Sequence, residues 1–187
     1  MDIIGCICNS PNLDYIKNLK LEMKDKCKVY CEIGVLYGGS MIMMMDMNYT
    51  CLHIGIDPFT GYYGKSYDPH RQIDLTNHFD IVSENIKKNN KYFQQWNLIK
   101  GKSNEVHNQI TEKIDFLFID GDHSYKGVLD DFNNFKDKVN IDGYIVFDNW
   151  NDPAWTEVKF ACDKIIKDND FEIIDERNYC LTLRKIK

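Results

Sequence analysis

Ile114-Asp-Phe-Leu-Phe-Ile-Asp120-Gly-Asp122-His123 is an apolar run that stops abruptly in acidic side chains, and Val146-Phe-Asp148-Asn149 repeats the pattern further along the chain. An apolar run of this length, polar only at its end, reads as a strand buried on both faces of a parallel sheet. Open α/β sheets bind their ligands outside the carboxyl ends of such strands. Two neighbouring strands of this kind bring Asp120, Asp148 and Asn149 to one small region, with His123 beside them. Three oxygen donors and a titratable imidazole suit a divalent cation and a proton transfer.

Outward from these two segments, strand-like and helix-like patterns alternate. Strands are expected over residues 28–33, 51–57, 96–100, 114–120 and 141–148. Helices are expected over 12–25, 40–47, 75–89, 104–111, 127–138 and 156–167. The first of these carries Leu13, Ile16, Leu19 and Met23 at helical spacing, and the third carries Ile81, Val82 and Ile86. Residues 171–175 and 179–184, joined by Glu176-Arg177-Asn178, read as a closing hairpin. The fold class is therefore α/β: a doubly wound, mostly parallel seven-stranded sheet with right-handed crossovers and a C-terminal antiparallel hairpin.

The 187 residues fit one domain, 1–187, with no repeat or linker to divide it. With 43% hydrophobic and 28% charged residues the balance is that of a soluble globular chain. A net charge of −6 disfavours nucleic acid, whose backbone calls for a basic face. No apolar run approaches the roughly 18–20 residues that span a bilayer. The opening stretch, with Asp2 and only a short apolar segment, lacks the basic and hydrophobic regions of a secretory signal, so a cytoplasmic setting is expected. Of the seven cysteines, Cys6, Cys8, Cys27, Cys31 and Cys51 crowd the first third, but without a Cys-x-x-Cys knuckle, so reduced thiols are expected rather than a zinc site.

The turn after the first strand reads Glu32-Ile-Gly34-Val-Leu36-Tyr-Gly38-Gly39-Ser40. Its glycines allow close backbone approach to a ligand, but the spacing is not that of a dinucleotide cradle, and Glu32 would repel phosphate while it could pair with an ammonium group. Strand two ends in Asp57, placed to accept the hydroxyls of a ribose or, on the plainer reading, to serve as a cap before Pro58. Residues 58–73 form a long aromatic and polar connection, expected either as a lid over the crevice or as a surface loop. Asp130 and Asp131 read as a solvated helix face.

Together these residues make the chain resemble the class I S-adenosylmethionine-dependent methyltransferases over nearly its full length. Within them it is similar to the small metal-dependent O-methyltransferases of the catechol, macrolide and sugar type, with their Rossmann-like fold. The resemblance implies that Glu32, Gly34, Leu36, Gly38, Gly39 and Ser40 line the methionine part of S-adenosylmethionine. It further implies Ser40 on the cofactor carboxylate, Asp57 on the ribose, Ser103 (in Gly101-Lys102-Ser103) at the adenine, and Asp120 near the cofactor. Ser103 is equally a helix N-cap by residue type. The Asp120-Gly-Asp122-His123 and Asp148-Asn149 pairing implies Mg²⁺, or Mn²⁺ or Ca²⁺, held by Asp120, Asp148 and Asn149. His123 or Asp122 is the implied general base, and both stay open.

The implied substrate is a hydroxyl of a glycan or other small molecule, a nucleotide sugar among the options. Trp150, Trp155, Tyr125, Tyr62, Tyr63 and Tyr67 are expected at the crevice rim, with His70 and Arg71 facing an anionic group. Metal-independent methylation of a phenol, RNA or protein group is an alternative, as is a non-catalytic cofactor-binding module. Assembly into a homo-oligomer stays open.

Overall fold

The computed structural model describes residues 11–60, 77–177 and 179–187. Most of the expected 58–73 lid, with Tyr62, Tyr63, Tyr67, His70 and Arg71, lies outside the described residues, as do Cys6 and Cys8. The chain runs α1 (Pro11–Met23), β1 (Val29–Ile33), α2 (Gly39–Met45), β2 (Leu52–Asp57), α3 (His78–Asn89), β3 (Gln95–Lys100), α4 (Ser103–Val106), β4 (Ile114–Ile119), α5 (Tyr125–Phe135), β5 (Val139–Phe147), α6 (Thr156–Ile165), β6 (Phe171–Arg177) and β7 (Cys180–Lys185). Seven strands form one sheet in the order β3-β2-β1-β4-β5-β7-β6. The first five run parallel, and β7 pairs antiparallel with both β5 and β6.

Alternation along β4 shows why this segment organises the sheet. Leu117 and Ile119 enter a core cluster with Val128, Phe132 and Phe135 of α5 and Val158, Ala161 and Ile165 of α6. Phe116 and Phe118 enter a second cluster on the other face with Leu13, Ile16 and Leu19 of α1. A third, around Met41, Ile42, Val82 and Ile86, joins α2 to α3. A strand apolar on both faces is stable only between two helical layers, so the continuous run from Phe116 to Ile119 belongs at the sheet centre.

Several boundaries differ from expectation. The segment expected as helix 104–111 is four residues of α-helix followed by a 3-10 turn over His107–Gln109. Only Val106 and Ile110 are buried there, too narrow an apolar stripe to hold a longer helix. β5 starts at Val139, two residues early; the register shifts between Ile114 and Phe116, and Asp142 turns into the left-handed region at φ +64°. β6 runs on through Arg177, whose partner across the hairpin is Cys180, a tighter closure than expected. Cys27, Cys31, Cys51, Cys162 and Cys180 are free and buried. Among the described residues no helix is long and apolar enough to cross a membrane.

Candidate active site

The strand order reverses between β1 and β4, so the crevice opens at their carboxyl ends. Main-chain bonds lace the strand tips there: Gly34 N–H to Ile56 O (2.9 Å), Asp120 N–H to Ile33 O (2.9 Å), Asp148 N–H to Ile119 O (3.0 Å) and Gly101 N–H to Asp57 O (3.0 Å). The acids at these tips are therefore held on a rigid frame.

The turn from Gly34 to Gly38 leaves β1 through a left-handed residue, Gly34 at φ +91°, and enters α2 through another, Gly38 at φ +82°. Leu36 between them is also left-handed, at φ +49°. Asp57, only 4% exposed, holds this turn from below. Its Oδ2 accepts from Val35 N–H (3.0 Å) and Leu36 N–H (3.2 Å), and its Oδ1 from Phe59 N–H (2.6 Å). From the other side, the Leu36 carbonyl meets His78 Nε2 (2.9 Å) and the Tyr37 carbonyl accepts from Asn85 Nδ2 (3.1 Å).

Glu32 lies wholly enclosed beneath the turn, with the Tyr30 hydroxyl donating to one oxygen (2.7 Å) and the Ser40 hydroxyl to the other (3.0 Å). Burial pushes its carboxyl up to about 8, against those two hydrogen bonds and with help from the charges of Asp120 and Asp57. A carboxyl whose folded pKa is raised leaves stability intact below the unfolded value near 4.5 and loses it as pH climbs to the folded one. Glu32→Gln is expected to remove that slope, sparing roughly 2–3 kcal/mol between pH 5 and pH 7. Thermal unfolding of both proteins across this range checks it: parallel pH profiles would show that Glu32 is ionised in the native state.

Beyond β4 the chain presents its acids. His123 Nε2 lies 2.9 Å from Asn149 Oδ1 and 3.3 Å from Asp120 Oδ1, so oxygens from two strand tips converge on one nitrogen. The imidazole stacks on Trp155, with ring centroids 4.4 Å apart and planes 25° from parallel. Burial disfavours the charged imidazole, but the hydrogen bond and charge of Asp120, with Asn149 and Asp148 behind them, hold its pKa above the ordinary histidine value. Asn149 sits in the left-handed region at φ +56°, a conformation its short amide tolerates better than most side chains.

Asp148 Oδ1 accepts from Asn12 Nδ2 (2.6 Å) and lies 3.6 Å from the Cys180 thiol. Burial, then the charge of Asp120, raise its carboxyl well above the usual range. Asp122 points elsewhere: its exposed carboxylate accepts from Ser124 N–H (2.9 Å) and packs over Gly127 at the start of α5. Ser124, rather than Asp122, caps that helix, accepting from Gly127 N–H at 3.0 Å.

Asp131 corrects the solvated-face expectation. It is 2% exposed, accepts a hydrogen bond from the Ser103 hydroxyl, and is pushed up to about 7, chiefly by burial. Val128, Phe132 and Phe135 are buried on α5, and position 131 lies on the same stripe at three and four residues from its neighbours, which is the signal that identifies it. Asn12, in contrast, is a polar residue at the start of a helix, with nothing in its local sequence to mark it as a partner of Asp148. Of the expected rim aromatics, Trp155 is at the site through His123, Trp150 packs beside the core under Lys159, and Tyr125 is exposed at 38%.

The donor set can be weighed against a hard cation. Among the described residues no group of three or more His, Cys, Asp or Glu side chains is gathered to hold an ion. The set here is two carboxylates and an amide, all oxygen, with the two acids close enough for one charge to raise the pKa of the other. That repulsion is what a cation relieves, so the chemistry of the set fits one.

A sequence family described as a methyltransferase domain matches residues 31–150, from β1 through the tip of β5. "Uncharacterized protein R132" of Acanthamoeba polyphaga mimivirus is 33% identical over 154 residues, covering 82% of this chain and 66% of the viral protein, just under two thirds of its length. The O-methyltransferase NovP superposes with a TM-score of 0.71 at 18% identity, over 94% of this chain and 80% of that one. CalS11, a TDP-rhamnose 3'-O-methyltransferase of calicheamicin biosynthesis, gives 0.65 at 17% identity, over 92% and 78%. The two structures establish the shared fold, and the family match spans the glycine turn and both acidic strand tips. The chain belongs to the methyltransferase-domain family, within the class I S-adenosylmethionine-dependent methyltransferases.

Proposed function

We propose that this chain is a divalent-metal-dependent O-methyltransferase acting on a hydroxyl of a sugar, a nucleotide sugar or another small hydroxylated molecule. The observation that carries the reading is the convergence of Asp120 Oδ1 and Asn149 Oδ1 on His123 Nε2, with Asp148 beside them. Asp120, Asp148 and Asn149 would hold Mg²⁺, with Mn²⁺ or Ca²⁺ as substitutes. When bound, the cofactor supplies a methyl group on a sulfonium and the ion lowers the pKa of an acceptor hydroxyl.

The chain's own residues do the rest. The Gly34–Gly38 turn and Ser40 admit the methionine part of the cofactor, and Ser103 edges its adenine. Asp57 receives three backbone N–H groups, and a carboxylate has about four acceptor positions, so one direction remains for a ribose hydroxyl. His123, its ring plane fixed by Trp155, is the group that would take the hydroxyl proton. Its Nε2 donates to the oxygens of Asn149 and Asp120 here, so it becomes an acceptor only when neutral at that nitrogen, with those oxygens turned to the ion. Asp122 is committed to Ser124 N–H, which favours His123 as the base. No nucleophilic side chain is required, because catalysis rests on alignment of oxygen, methyl carbon and sulfur. The sugar-directed name of CalS11 supports a sugar hydroxyl as acceptor.

Calorimetry with S-adenosylmethionine in Mg²⁺ and in EDTA, followed by a mass-spectrometric screen of nucleotide sugars for gain of one methyl group, tests this. Cofactor binding in both conditions and turnover only with the ion is the expected result. EDTA-resistant turnover would replace it with a metal-independent reaction in which the Asp120–His123 pair alone carries the proton. Binding without turnover on any acceptor would leave a cofactor-binding module.

A further inference from the structure

We propose that Asn12 is a positioning residue of this site, orienting Asp148 for ion binding from an element outside the strands that carry the acids. The inference rests on the metal reading above and assigns to it a residue outside the 31–150 span of the family match. Asn12 is the second residue of α1, 136 positions before Asp148, yet it is only 8% exposed and its Nδ2 lies 2.6 Å from Asp148 Oδ1. A polar residue at the start of a helix ordinarily faces water or caps its own backbone. This one is turned inward onto a carboxylate. The amide must present nitrogen there, since its oxygen would oppose the carboxylate lone pairs.

Two further contacts hold α1 in place. The Tyr15 hydroxyl bonds Thr182 Oγ1 on β7 at 2.7 Å, and Lys20 Nζ, fully buried, donates to the Met44 carbonyl at 2.9 Å. Asn12 is therefore delivered by a docked helix, and its bond fixes the plane of the Asp148 carboxylate. Among the described residues the side-chain bonds to Asp148 fall on Oδ1, from Asn12 and from the Cys180 thiol. With Oδ1 tied back to α1 and β7, and the Asn149 main chain also bonded to this carboxylate, Oδ2 has no side-chain partner among the described residues and is the oxygen that would face the site. Hydrogen-bonded partners of ligating carboxylates matter nearly as much as the ligands, and their loss costs about 10–100-fold in metal affinity or activity.

Titration of the full chain with Mn²⁺, reading the free ion by electron paramagnetic resonance, decides the matter. Asn12→Leu keeps the shape and removes the donor; the expected result is an ion Kd raised about 10–100-fold, with the calorimetric Kd for S-adenosylmethionine in EDTA within twofold of wild type. Asn12→Gln keeps an amide donor and is expected to recover part of the ion affinity. Should Asn12→Leu fail to fold by circular dichroism, Asn12→Ala decides in its place. Ion affinity within twofold of wild type in the folded variant overturns the proposal and leaves the metal reading standing. Equal losses for ion and cofactor overturn it too, by assigning Asn12 a purely structural role. A wild-type chain that binds no Mn²⁺ removes the metal reading and this inference with it.

Discussion

Gly34→Ala is expected to lower the unfolding midpoint by roughly 10 °C or more and to weaken cofactor binding at least about 100-fold. A Cβ built on Gly34 would sit 1.9 Å from the Asp120 carbonyl oxygen and 2.6 Å from its carbon. Both are backbone atoms of the neighbouring strand tip. That tip cannot retreat, because the Asp120 N–H is bonded to Ile33 O at 2.9 Å, one residue before the glycine. The left-handed φ of +91° adds strain of its own. Losses above about 4 kcal/mol come from a short list of causes, of which a clash with fixed backbone at a special φ is one. At about 2–4 °C per kcal/mol for a chain of this size, the midpoint shift follows. Gly38→Ala is the internal control. Its Cβ would meet Val82 Cγ1 at 3.3 Å, the end of a side chain that can give, although φ is again positive at +82°. It should lose only about 1–2 kcal/mol. Thermal melts and calorimetry with S-adenosylmethionine check both; a Gly34→Ala protein as stable as Gly38→Ala would show that β1 and β4 part more easily than their bonds imply.

The same frame explains what was legible in the sequence. Runs such as Phe116–Ile119 announce a sheet covered on both faces, since every residue must be apolar there. An acid at the end of such a run marks the strand tip, which brings Asp57, Asp120 and Asp148 to one edge. The sequence does not encode which neighbour each acid meets. Glu32 has the spacing of a ligand residue, yet its oxygens go to Tyr30 and Ser40, because alternation along β1 puts Tyr30 and Glu32 on the same face. Asp131 was readable from the helical stripe it shares with Val128, Phe132 and Phe135, but its charge and its neighbour Asp130 argue for solvent. Asn12 depends on how α1 docks, and a contact 136 positions apart leaves no local trace. Trp155 is expected at the crevice rim, but its stacking on His123, 32 positions away, is not. The early start of β5 has a similar origin: Asp142 at φ +64° allows an irregular pairing with β4 that no hydrophobic pattern encodes.

Asp148→Asn is expected to separate function from stability, raising the second while removing the first. Asp148 is an acid whose burial and proximity to Asp120 both disfavour its charge. Its folded pKa is raised, so its contribution is intact below the unfolded value near 4 and lost as pH rises toward the folded one. At pH 8 the native chain carries that penalty in full. An amide of the same shape has no charge to desolvate, and its oxygen still accepts from Asn12 Nδ2. The metal-free variant should therefore melt about 2–6 °C higher than wild type at pH 8, corresponding to about 1–2 kcal/mol, and the gap should close toward pH 4. Methyl transfer moves the other way. If Asp148 ligates the ion as proposed, a neutral amide in its place forfeits several kcal/mol of charge stabilisation, and each 1.36 kcal/mol is tenfold in rate, so turnover should fall at least about 1,000-fold. Cofactor affinity in EDTA should stay within about threefold, since the glycine turn and Asp57 are untouched. A residue kept for packing would lose stability when changed, whereas one kept for chemistry is tolerated at a cost to the fold. Melting curves from pH 4 to pH 8 beside single-turnover assays distinguish them. A less stable Asp148→Asn protein, or one that methylates at the wild-type rate, would make Asp148 a structural acid and leave the proposed ion without its second carboxylate.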